Sequence, residues 1–102
     1  MSNLTNNELK VLKAFDRSEY SENLSTETWL FSVRDHSGIK GKAFSGTVSS
    51  LVQKGYVATG AGDGRLTDDS SESDATLRMT YIGVLAFLEA AKEAGFEVEK
   101  EV

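Results

Sequence analysis

Leu9, Leu12 and Phe15 recur every three residues with Val11 beside them, and this spacing predicts an amphipathic helix over roughly 6–17. Its start is marked by Thr5, whose hydroxyl can cap the first turn while Glu8, three residues on, reaches back to complete a capping box. Leu4 and Leu9 occupy the two positions of a hydrophobic staple. A polar stretch from Ser18 to Ser25 then leads to a second helix near Glu27 to Arg34, with Trp29, Leu30 and Val33 as its buried side. Asp35, His36, Ser37 and Gly38 make a dense run of turn residues. In the third helix, predicted over 41–54, Phe44, Val48, Leu51 and Val52 face the core. Lys42, Ser45, Gly46, Ser49 and Gln53 fall on the opposite side. Gly46 costs such a helix about 1 kcal/mol relative to alanine, which points to close packing or to the approach of a partner.

After Lys54 and Gly55, Tyr56 to Thr59 reads as a short strand, Gly60 to Ser73 as a flexible loop and Asp74 to Met79 as a returning strand. Thr80 caps a last helix containing Ile82, Val84, Leu85, Leu88 and Ala91, which ends before Gly95. Trp29, Phe15 and Phe44 are expected in the core. The expected organisation is a single α+β, mainly helical domain over 1–95, with a two-stranded hairpin and a C-terminal helix. A charged tail, 96–102, is expected to fray unless it docks on a partner.

Composition narrows the function classes. The net charge of -5 argues against a general nucleic-acid coat, yet the charge is unevenly placed. Arg34, Lys40, Lys42 and Lys54 meet only Asp35 within 34–54, whereas 60–75 sets Arg65 against Asp63, Asp68, Asp69, Glu72 and Asp74. The absence of cysteine excludes disulfides and thiolate metal sites. No apolar run reaches the roughly 20 residues of a membrane span, and the first residues lack a secretory pattern, so a cytoplasmic location away from membranes is expected.

Catalytic chemistry finds little support. His36 is a lone histidine beside Asp35, without further ligands at metal-binding spacing. Asp68 and Asp69 have no evident partner to raise either pKa, and none of the serines sits in a nucleophile elbow. The glycines of 60–64 lack the lysine and following helix of a phosphate loop. Neither an enzyme, a cofactor nor a metal is expected.

Helix, helix, turn, helix, strand, glycine-rich loop, strand, helix is the order of a winged helix-turn-helix domain. The segment from Gly38 to Val57, with Thr47-Val48-Ser49 leading to Leu51, Lys54, Gly55 and an apolar strand start, resembles the recognition helix and first wing strand of MarR-like regulators of bacterial or phage type. Leu77 to Gly83, with Thr80 followed three residues later by glycine, resembles the returning strand and helix start of that family. The resemblance covers roughly 5–90. It implies a transcriptional regulator that binds double-stranded DNA, inserting the helix 41–54 in the major groove and laying the wing along the backbone or minor groove.

On that reading Ser45, Ser49 and Gln53 contact base edges, and Lys40, Lys42 and Lys54 contact phosphates. Arg65 is the wing-tip residue for the minor groove. A homodimer through Tyr81, Leu85 and Leu88 is a further expectation. Because MarR-like proteins carry additional terminal helices around their ligand pocket, an intact small-molecule site is not expected. The alternative is a winged helix protein-interaction module, in which the acidic wing 60–75 engages a basic partner or mimics DNA phosphates.

Overall fold

Thr5 opens the first helix as the sequence predicts: its hydroxyl accepts from the Glu8 amide at 3.1 Å, and Glu8 Oε1 accepts from the Thr5 amide at 2.9 Å. This element, α1, spans Asn6–Arg17 in a computed structural model that describes residues 4–20, 22–60 and 76–101. Next come β1 (Thr28–Trp29), α2 (Leu30–Ser37), α3 (Gly41–Gln53), β2 (Val57–Gly60), β3 (Thr76–Met79) and α4 (Tyr81–Ala94). The result is a small α+β, mostly helical domain. It is compatible with the winged helix order.

Three helices close on one another because each turns an apolar stripe inward. Val11, Leu12 and Phe15 of α1 meet Leu30 and Val33 of α2 and Phe44, Val48 and Leu51 of α3 in one core. Val57, Leu77 and Met79 bring the sheet onto that core, and Val84 and Phe87 bring α4. Phe15 and Phe44 are core residues, as expected. Gly38 ends α2 with φ +72, a left-handed conformation that a side chain resists, and so permits the sharp turn into α3.

Several expectations change. The hairpin is not two-stranded: β1 joins it in a three-stranded antiparallel sheet of order β1-β3-β2, with Thr28 opposite Leu77 and Trp29 opposite Thr76. Trp29 is therefore not on the buried side of the second helix. It points outward from β1 and is 40% exposed, while Thr28 points in and joins a buried hydroxyl cluster with Ser18 and Ser32. Val52, predicted inward, is 41% exposed, because Leu51 takes the core position and its neighbour is rotated about 100° away.

The charged tail is docked on its own domain. The buried Asp16 carboxylate accepts from the Glu99 and Lys100 amides at 2.8 and 2.7 Å, the Leu24 amide donates to the Glu101 carbonyl, and Phe96 and Val98 pack against the core.

Candidate functional site

Helix α3 divides into two faces. Phe44, Val48 and Leu51 are buried, Thr47 is tied to its own helix through the Ala43 carbonyl at 2.7 Å, and these residues fix the helix on α1 and α2. On the other side Lys42, Gly46, Ser49 and Gln53 are exposed, and Ser45 is half-buried. Lys40, the N-cap residue, is exposed at the entry to the helix. These sequence-predicted positions therefore lie on one helical face and its N-terminal approach.

A Cβ built on Gly46 meets nothing within 4 Å, so packing inside the chain gives no reason for the glycine. The turn before α3 is braced by Ser37, whose hydroxyl donates to the Arg34 carbonyl at 2.8 Å and accepts from the Ile39 amide at 3.1 Å. Beside it lies an open depression of about 400 Å³ lined by Arg34, Asp35, Gly38, Ile39, Lys40 and Gly41.

Lys54 stands at the C-terminal end of α3. Lys54 is turned inward: its ammonium lies 2.7 Å from Glu8 Oε1, and Glu8 is itself buried and also accepts from the Ser50 hydroxyl. Burial pushes the Glu8 carboxyl up, but the hydrogen bonds from Lys54, Ser50 and the Thr5 amide, with the lysine charge, outweigh it and hold its pKa below the ordinary value. Lys54 thus holds the base of α3 to α1, with its ammonium engaged inside the chain. Arg65 and the acidic segment 61–75 lie outside the described residues.

A surface row of aromatic side chains is not predicted by the spacing. Tyr20, Phe31 and Trp29 form a half-exposed aromatic row, with Tyr20 and Phe31 centroids 5.7 Å apart and Trp29 and Phe31 centroids 6.4 Å apart. On α4, Tyr81 is 76% exposed, Ile82 50% and Leu85 47%, whereas Leu88 is partly buried against the core. No group of three potential metal ligands occurs among the described residues, and no described helix is long and apolar enough to cross a membrane.

No protein-family model, curated protein or solved structure matches this chain.

Proposed function

We propose that the chain is a small MarR-like winged helix-turn-helix regulator that reads double-stranded DNA with the outer face of α3. The observation that carries this reading is the contrast between the two sides of that helix. Its inner face is fixed in the core, and its outer face is small, polar and open around Gly46. A helix of this kind enters the major groove without a bulky side chain to hold it off, and its serine and glutamine groups can both donate and accept at base edges. Lys40 and Lys42 stand at its N-terminus, where lysine charge and helix dipole both favour phosphate. Exposed apolar side chains of α4 support a homodimer, which would present two recognition helices to half-sites about one helical turn apart.

The test is binding of the purified protein to random duplex DNA and to a selected pool over a range of salt. Several units of slope in log affinity against log salt, with enrichment of a two-fold sequence pattern, are expected. Absence of binding at low salt overturns the reading.

A further inference from the structure

A second basic surface lies away from the outer face of α3. Lys10, Lys13 and Arg17 recur along α1 at helical spacing, and the last turn of α2 brings His36 beside them. Together with Ala14 and Ser37 they line one shallow depression of about 180 Å³, and no carboxylate is among its lining residues. This is unusual in a chain of 16 acidic and 11 basic residues, where an average patch of surface is acidic.

The cause is visible in α1. Its acidic residues, Glu8 and Asp16, are both buried and engaged, one by Lys54 and Ser50 and the other by the Glu99 and Lys100 amides. The outward charges of this helix are therefore all positive. Its dipole favours Arg17 in the last turn but gives no reason for Lys10, which stands in the N-terminal half. Lys13 is held with its ammonium 4.6 Å from the centroid of the Phe96 ring, which limits its motion and covers that ring. Among the described residues, Lys10 and Arg17 meet no carboxylate within ion-pair distance.

We infer that Lys10, Lys13, Arg17 and His36 form a phosphate-binding track for a nucleic-acid strand, separate from the outer face of α3. The spacing selects a strand over a single phosphate: seven residues of helix span roughly 10 Å, farther than one phosphate group reaches. The lining selects it over an acidic peptide, because the depression offers no exposed aromatic or large aliphatic anchor of the kind that dominates protein interfaces. Arginine supplies a planar fork to one phosphate, the lysines supply charge, and His36 supplies a ring N–H donor. The inference is independent of whether α3 enters a groove.

The experiment is a nuclear magnetic resonance titration of the full chain with pyrophosphate and, separately, with a mixed-sequence duplex, comparing the native protein with a Lys10→Gln/Arg17→Gln variant. Both substituted side chains are exposed, and unchanged amide shifts elsewhere verify the fold of the variant. Both ligands are expected to shift residues 10, 13, 17, 36 and 37, the variant is expected to lose those shifts, and its duplex affinity is expected to show a salt slope lower by about 2.

Shifts at the cluster with pyrophosphate alone would make it a small-anion site and overturn the strand. Equal displacement of the duplex by polyglutamate, shifts spread evenly over all lysines, or no shift at the cluster would also overturn it. A Lys42→Ala variant separates the two surfaces: the pyrophosphate shifts at the α1 cluster are expected to persist in it, and their loss would overturn the separation.

Discussion

The Tyr56 carbonyl lies so close to Gly83 that a Cβ built there would sit 1.8 Å from the carbonyl oxygen. That oxygen also accepts from the Thr80 amide at 3.0 Å, while the Thr80 hydroxyl caps α4 through the Gly83 amide at 3.1 Å. The link fastens the turn between α3 and β2 to the start of α4. A methyl group at position 83 can be accommodated only by moving one backbone away from the other, so Gly83→Ala is expected to destabilise the fold by about 3 kcal/mol. Urea denaturation measures this, and an unchanged midpoint would show that α4 is not seated on Tyr56.

Glu8 gives the fold a pH dependence with a definite sign. Its folded-state pKa lies below the ordinary glutamate value, so Glu8 binds fewer protons folded than unfolded and its ionised form stabilises at neutral pH. That contribution is fully present above the unfolded pKa and is lost as pH falls through the folded one. Glu8→Gln should therefore cost roughly 1–3 kcal/mol at pH 7, with the difference from the native protein shrinking on acidification below about pH 4. A difference that stayed constant down to pH 3 would contradict the assignment.

Gly46 separates folding from binding. Since a methyl group there meets nothing in the chain, Gly46→Ala is expected to raise stability by about 0.5–1 kcal/mol through helix propensity. The same methyl group stands where a DNA groove is proposed to approach, so duplex affinity should fall. Gain of stability with unchanged affinity would remove this part of α3 from the interface.

Lys42→Ala should weaken binding to every duplex and reduce the salt slope by about 1, whereas Ser49→Ala should alter preference among sequences. Selection of binding sites from a random pool with each variant reads both effects. Uniform losses from both variants would refute the division between phosphate and base contacts.

Much of the fold was legible because α1 and α3 combine strong helical periodicity with sharp boundary residues. Thr5 and Glu8 cap the first as expected, Gly38 turns the chain, and Thr80 and Gly95 bound the last helix. A two-residue strand carries no periodicity, so local spacing merges β1 with the second helix and assigns Trp29 to the core. Of the candidate site, spacing reveals exposure where helical facing decides it, as at Lys42, Ser49 and Gln53. Local spacing cannot show that Glu8, 46 residues before Lys54, draws that lysine inward. Nor can it show that Asp16 receives the tail and leaves the outer side of α1 wholly basic.

The exposed part of α4 leads to the last prediction. Tyr81, Ile82 and Leu85 lie at the N-terminal half of the helix within little more than one turn, and their inward neighbours Val84 and Phe87 already fill the core. A symmetric pairing of two α4 helices would remove from water the apolar surface that these side chains leave exposed. Leu85→Glu places a charge within that surface without touching the core. Analytical ultracentrifugation across a concentration series should show the native protein dimerising and the variant remaining monomeric, with its melting temperature at low concentration unchanged. The proposed two-fold DNA site adds a linked expectation: the variant should lose affinity for paired half-sites and keep its affinity for one half-site. A native protein that stays monomeric at every concentration would leave α4 without this role.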